Sequence, residues 1–211
     1  GEDLVFGSDM FAVGLNHVYF FKPTFSGKLS LGYSSGGFRA IVDTLSTAGD
    51  PFRVYTNESR EDALNAVYSL NWKLNAHHLF KTGASYSHYL FDYHTWYWSR
   101  KYLMNIDQLN QEDGTGLFQG YLHWQYRINE KHTLNSGMHY QLLVLNGTQA
   151  VEPRLGWRFQ FRKNQSVSLA GGMHSQTAPM LYYFYKSYDS LSTSYVQSNL
   201  ELDLSKSWHA I

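Results

Sequence analysis

Cysteine is absent from this chain of 211 residues, which excludes disulfides and thiolate metal sites. Long apolar runs are absent too, since no stretch reaches the roughly 18 apolar residues that a transmembrane helix needs. Charged residues make up 16%, and the formal net charge of zero gives no argument for a nucleic-acid partner. The chain shows no signal peptide, so we expect either a mature protein or a piece of a longer one.

Aromatic residues are abundant at 17%, and they alternate with polar residues along predicted strands. The clearest case is residues 151–162 (VEPRLGWRFQFR), in which every second residue is apolar and the residues between them are charged or polar apart from the glycine at 156. Successive side chains of a strand point to opposite faces, so this segment has one apolar and one charged side. The mean hydropathy of −0.40 would suggest a soluble protein. Strands of a membrane barrel escape such averages because their two faces cancel.

The alternation predicts nine strands. They cover residues 11–21, 63–74, 78–96, 116–128 and 151–162, with further strands starting near residues 28, 134, 167 and 196. Short polar turns follow the first, third, fifth and seventh strands. Longer loops are predicted at residues 46–61 and 99–114 and after residue 176, and this asymmetry is typical of a transmembrane β-barrel. The predicted fold is therefore an all-β, antiparallel transmembrane β-barrel, and a soluble β-sandwich is the second choice.

The odd strand count favours a fragment, because single-chain bacterial barrels have even counts. We therefore expect the chain to be part of a larger barrel whose other strands lie beyond one or both ends.

The same alternation assigns side chains to the lumen and to the lipid. Predicted to face the lipid are Leu122, Trp124, Leu155, Trp157 and Phe159. Predicted to face the lumen are His123, Gln125, His139, Gln141, Glu152, Arg154, Arg158 and Arg162. An arginine on the lipid side would cost roughly 2–4 kcal/mol at the middle of the bilayer, so we assign the arginines to the lumen side.

Two segments resemble a known family. Residues 152–159 (EPRLGWRF) and 169–180 (LAGGMHSQTAPM) resemble the pattern EPRxG(L/W)RxxF…xGxHSQ…P of TonB-dependent outer-membrane receptors of the Bacteroidetes type. Residues 6–11 (FGSDMF) and 89–94 (YLFDYH) are more loosely similar to earlier stretches of that family. These similar stretches occur in the same order as in the family and extend over nearly the whole chain. The chain therefore resembles a segment from the middle of such a barrel.

The resemblance implies a barrel of about 22 strands in the bacterial outer membrane that imports a large nutrient. It implies contact with outer-membrane lipid, a plug domain, the TonB system and a surface lipoprotein. Residues 1–211 are expected to be a single barrel segment without a plug, with no catalytic residues, metal or cofactor. The alternative function is a structural or interaction barrel subunit of an outer-membrane assembly.

Several residues leave a second interpretation open. The stripe of Glu152, Arg154, Arg158 and Arg162 is either general lumen electrostatics or a surface for an anionic solute or plug carboxylates. His123 and His139 are either polar lining or a proton-sensitive or ligand site, without the third ligand that zinc needs. The histidines in predicted turns, His77, His78 and His132, are interpreted as solvated.

Two other groups are ambiguous in the same way. The aromatics Tyr93, Trp96, Tyr97, Trp98, Tyr182, Tyr183, Phe184 and Tyr185 are interpreted mainly as an interface girdle, with ligand stacking as the alternative. Asp92 and His94 lie two apart near the predicted outer rim, which is where barrel proteases carry Asp and His. Solvation of a loop is the favoured interpretation for this pair.

Overall fold

The alternating segments form a single large antiparallel sheet in the computed structural model, which describes residues 1–46, 48–189 and 194–211. Its strands are β1 (Glu2–Lys22), β2 (Phe25–Leu45), β3 (Pro51–Lys73), β4 (His78–Ser99), β5 (Met104–Arg127), β6 (His132–Leu143), β7 (Gln149–Arg162), β8 (Gln165–Gln176) and β11 (Ser205–Ala210). Each strand pairs with the next in this order, and β1 and β11 form the two edges. The prediction of nine antiparallel strands is confirmed.

Short turns join the strands at one end of the sheet, which we call the turn end. Two of these turns have the same chemistry. Asn75 Oδ1 accepts hydrogen bonds from the backbone N–H groups of His77 and His78 at 2.8 and 2.9 Å. Asn129 Oδ1 accepts from those of Lys131 and His132, both at 2.9 Å. An asparagine that bonds its own backbone in this way stabilises a tight reversal of the chain.

The opposite end of the sheet, the loop end, differs from the prediction. The loops expected at residues 46–61 and 99–114 are wrong, because β3 already begins at Pro51 and β5 at Met104. Polar residues in these stretches find partners across the sheet. Arg53 Nε lies 3.0 Å from Asp43 Oδ1, and Arg39 Nη1 lies 4.0 Å from Glu58 Oε1. Such pairs keep polar segments extended beyond the apolar part of the sheet.

The ninth strand is also displaced from its predicted position near residue 196. The segment between β8 and β11 instead contains α1 (Met180–Phe184) and the strands β9 (Lys186–Asp189) and β10 (Ser194–Gln197), which pair with each other. The strand that joins the main sheet is β11, whose Trp208 pairs with Met173. Among the described residues, no helix is both long and apolar enough to cross a membrane.

Cross-strand pairing defines two faces of the sheet. Trp124 pairs with Ser136, which pairs with Leu155, and Leu122 pairs with Met138. Leu122, Trp124, Leu155, Trp157 and Phe159 therefore share one face, which we call the apolar face. His123, Gln125, His139, Gln141, Glu152, Arg154 and Arg158 share the other, the polar face, because His123 pairs with Gly137 and Gly137 with Arg154.

The buried core lies on the polar face at the loop end. Alternation places Phe91 on the face of Lys81 and Leu117 on the face of His123, and Lys81 pairs with His123. The helix α1 covers this part of the sheet. The buried cluster contains Phe91, Tyr93, Leu109, Leu117 and Leu143 from the strands and Met180, Tyr183 and Phe184 from α1.

This core corrects part of the girdle interpretation. Tyr93, Tyr183 and Phe184 are buried in the cluster, so they do not form an interface girdle. The rings of Phe91 and Phe184 lie 4.6 Å apart, and the hydroxyl of Tyr93 donates a hydrogen bond to Glu61. Burial of large aromatic side chains stabilises a fold by more than a surface position would. The segment after β8 is therefore folded onto the sheet.

Candidate functional site on the polar face

Glu152 is the centre of a polar network that joins β6, β7 and β8. It is 1% exposed. Its Oε2 lies 2.8 Å from Arg154 Nη2 and 3.2 Å from His139 Nδ1. Its Oε1 accepts hydrogen bonds from Ser175 Oγ at 2.6 Å and from Gln141 Nε2 at 3.2 Å. A buried carboxylate is stable only when donors replace its water, and here four side chains surround it.

Two members of this network were missed from the sequence. Regular alternation would put Ser175 on the apolar face with Met173, but its hydroxyl contacts Glu152. The pairing of β7 with β8 ends at Arg154 and Gly172, so the register no longer fixes the faces beyond that point. His174 joins as well, with Nδ1 3.1 Å from Arg154 Nη2. Pro153, which has no backbone N–H, is a sequence signal for the end of this pairing, but it does not indicate which side chains turn towards Glu152.

The remaining predicted lumen residues lie nearer the turn end. Gln125 and Arg158 line a cleft of ≈ 560 Å³ together with Arg127, Lys131 and Glu130. Arg162 follows a register shift and pairs with Gln165 beside the β7–β8 turn. His123 lies beside a second hollow, of ≈ 360 Å³, that also contains Arg154 and His174. The predicted residues thus divide into a buried network and two open depressions.

Cations dominate this face towards the turn end. Alternation and pairing place Lys28, Lys73, Lys81, Arg127 and Arg158 on it. Within the described part of the chain, none of these five has a carboxylate within 4.0 Å. The strand carboxylates Glu61, Asp113 and Glu152 lie further towards the loop end, and Glu130 of the β5–β6 turn lies beside the cleft, where cations outnumber it. The open part of the face is therefore positively charged.

The apolar face is exposed over most of its area. Leu122 is 51% and Leu155 58% exposed, and β1 is exposed along its whole length. Near the turn end, aromatic rings contact each other both between neighbouring strands and along single strands. The contacts join Phe21 to Phe25, Phe25 to Trp72, Trp72 to Phe80, Phe80 to Trp124, Trp124 to Tyr126, and Trp157 to Phe159. An apolar band with an aromatic border is typical of sheets that face lipid.

Two turn histidines belong to this aromatic border, and the prediction that they are solvated is wrong for them. His78 stacks on Tyr126 at 4.7 Å and accepts a hydrogen bond from Trp124 Nε1 at 3.1 Å. His132 stacks on Phe159 at 4.6 Å. Both rings are half-buried because they begin strands directly opposite an aromatic residue.

Towards the loop end, one row of mostly charged residues crosses the strands on the apolar face. Asp9, Gly37, Arg60, Asp92 and Glu112 pair in succession from β1 to β5. Arg60 Nη2 lies 3.2 Å from Asp9 Oδ2 across Gly37, where no side chain separates the two strands. Asp92 and His94 belong to this face and not to the polar one. Among the described residues, no group of three or more His, Cys, Asp or Glu could hold a metal ion.

The loop between β6 and β7 is hydrogen-bonded to the segment that precedes β11. Asn146 Nδ2 donates to the backbone oxygens of Leu200 and Leu202 at 3.0 and 2.9 Å. The hydroxyl of Thr148 donates to Asp203. This hydrogen bond, the N–H of Leu204 and the charge of Lys206 hold the pKa of Asp203 below its usual value.

Solved receptor barrels share this fold. The chain is similar to the siderophore receptor PirA from Pseudomonas aeruginosa, with a TM-score of 0.57 and 14% identity over 97% of the chain. It is also similar to the RagAB peptide importer, with a TM-score of 0.61 and 10% identity over 98% of the chain. The sheet is thus part of a large outer-membrane-type β-barrel fold.

The chain spans 42% of the length of the PirA chain and 28% of the RagAB chain. No family model matches the chain, and no curated protein matches it. The likeness to the receptor and the importer therefore establishes the fold of the segment, and function must be argued from its two faces.

Proposed function

We propose that this chain is part of the wall of a TonB-dependent receptor barrel that imports a nutrient across a bacterial outer membrane. The observation that carries the proposal is the division of the same strands into an exposed apolar face with an aromatic border and a charged polar face. The fold likeness to a siderophore receptor and a peptide importer supports it. In this arrangement the apolar face contacts lipid and the polar face lines the lumen.

The proposed partners rest on this arrangement and on the likeness to the receptor and the importer. Lipid covers the apolar face, a plug domain occupies the lumen, and the TonB system acts from the turn end. The charged row from Asp9 to Glu112 lies beyond the apolar band, where a side chain meets headgroups or another protein. A surface lipoprotein at the loop end is the further proposed partner. The alternative, a structural barrel subunit, also needs a protein contact at that row.

The test uses the full-length protein in its own cell. Membranes are separated by density, and the protein is followed by a heat-dependent shift in gel mobility. The purified protein is then titrated with the periplasmic domain of TonB from the same organism. We expect outer-membrane density and saturable TonB binding. A protein in the outer membrane that does not bind TonB supports the structural subunit, and a soluble protein contradicts both functions.

A further inference from the structure

A row of basic residues separated by glycines crosses the polar face. Lys81 on β4 pairs with His123 on β5, and His123 pairs with Gly137 on β6. The row continues through Arg154 on β7 and Gly172 on β8 to His209 on β11. Neighbouring strands lie about 4.8 Å apart, so the row spans about 24 Å.

Small residues make this part of the face concave. Gly137, Gly156, Gly172 and Ala170 form the floor of the hollow of ≈ 360 Å³, and imidazole rings and Arg154 stand at its edges. A Cβ on Gly172 would lie 3.0 Å from Arg154 Cγ and from the backbone oxygen of Pro153. Only glycine lets the stem of Arg154 lie against this floor.

The two cationic side chains of the row, Arg154 beside the hollow and Lys81 two strands along the sheet from Gly137, retain unused binding capacity. Both contacts of Arg154 within the described part of the chain, to Glu152 and His174, go through Nη2, which leaves its Nε and Nη1 without a described partner. Glu152 is the carboxylate that reaches this row, and its oxygens are occupied by the network. Lys81 has no carboxylate within 4.0 Å among the described residues.

We propose that this row binds an anionic solute that carries at least two carboxylate or phosphate groups. Arginine binds such groups in a bidentate manner, and lysine binds them as a point charge. The exposed glycine backbone lets the solute approach the wall closely. The inference rests on the proposed function in one respect, because the solute reaches the row through the lumen.

The test measures binding by calorimetry on the full-length protein in detergent. The probes are propane-1,2,3-tricarboxylate and inorganic phosphate, and propane-1,2,3-triamine is the control of matched shape and opposite charge. Lys81→Gln and His209→Gln each remove one group of the row without touching Glu152. Arg127→Gln removes the same charge as Lys81→Gln from the same face, outside the row.

We expect the tricarboxylate to bind and the triamine not to bind. Lys81→Gln and His209→Gln should each raise the Kd about tenfold, and Arg127→Gln less than about twofold. Equal weakening by Arg127→Gln, equal binding of the triamine, or no binding of either anion overturns the site. Anion binding in detergent by a protein that does not bind TonB leaves the site standing and contradicts the proposed transport function, so the two failures are distinguishable.

Discussion

Glu152 and Arg154 form an ion pair within one strand, with 2.8 Å between Oε2 and Nη2. The carboxylate is buried and the arginine is about half exposed, so the loss of the acid leaves buried donors without an acceptor. We expect Glu152→Gln to lower the free energy of unfolding by about 2 kcal/mol. Urea unfolding in detergent, followed by tryptophan fluorescence, measures this.

Glu112→Gln is the matched control for this prediction. Glu112 is exposed on the apolar face and belongs to the charged row, so its replacement should change stability by less than about 0.5 kcal/mol. Equal losses for the two variants would show that the Glu152 network does not stabilise the sheet.

Alternation was sufficient to predict the sheet between its turns. Residues such as Leu122 and Trp124 repeat every second position, and asparagine turns such as the one at Asn75 interrupt them. The parts of β2 to β5 at the loop end were not predictable, because Arg53 and Asp43 look like loop residues until their pairing is known. The composition of a short segment does not show that a residue such as Arg53 has an ion-pair partner ten residues away in the chain.

The candidate site was only partly predictable for a related reason. His139, Gln141, Glu152 and Arg154 share a face by counting alone. Ser175 completes the network only because β8 departs from regular pairing after Gly172. The burial of Tyr93 under α1 depends on how the segment after β8 folds back, and no short-range pattern encodes that path.

Two glycines in the sheet should respond differently to the same substitution. A Cβ at Gly83 would lie 2.7 Å from the Tyr121 ring and 2.8 Å from the backbone oxygen of Tyr68. Relief of the second contact requires a shift of the backbone, which costs more free energy than a side-chain movement. We expect Gly83→Ala to cost about 2 kcal/mol in urea unfolding.

At Gly37 the same Cβ would meet the ends of the side chains of Asp9 and Arg60, which are flexible. That exposed ion pair contributes little, so Gly37→Ala should cost less than about 1 kcal/mol. A larger loss at Gly37 than at Gly83 would contradict the close packing of Tyr121 against the sheet.

The two faces should differ in their surroundings in a membrane. These 211 residues contain no cysteine, so a single spin label can be placed at position 157 or 158 without removing one here. In lipid we expect the label at Trp157 to collide with oxygen and the label at Arg158 to collide with a water-soluble nickel complex. Identical oxygen and nickel accessibilities at the two positions would contradict the assignment of the faces to lipid and lumen.

The Thr148–Asp203 hydrogen bond should make the loop end sensitive to acid. Because the folded protein holds the pKa of Asp203 low, the bond stabilises the loop above about pH 4 and is lost as the pH falls through the depressed pKa. Thr148→Val removes the main donor, so the pKa of Asp203 should rise towards its usual value. Carbon-13 NMR of labelled aspartate follows this titration, and an unchanged midpoint would show that Thr148 does not set it.

The helix α1 offers a final pair of variants. Phe184 is 2% exposed and packs on Phe91, whereas Tyr182 on the same helix is 55% exposed. Truncation of a buried phenylalanine costs about 3–5 kcal/mol, enough to detach a five-residue helix held by one cluster. We therefore expect Phe184→Ala, but not Tyr182→Ala, to expose the cluster beneath. The measurement is the rate at which a water-soluble thiol reagent labels a cysteine placed at Leu143, which is 0% exposed in the intact protein. Rapid labelling in the presence of an intact Phe184 would mean that α1 does not cover the polar face.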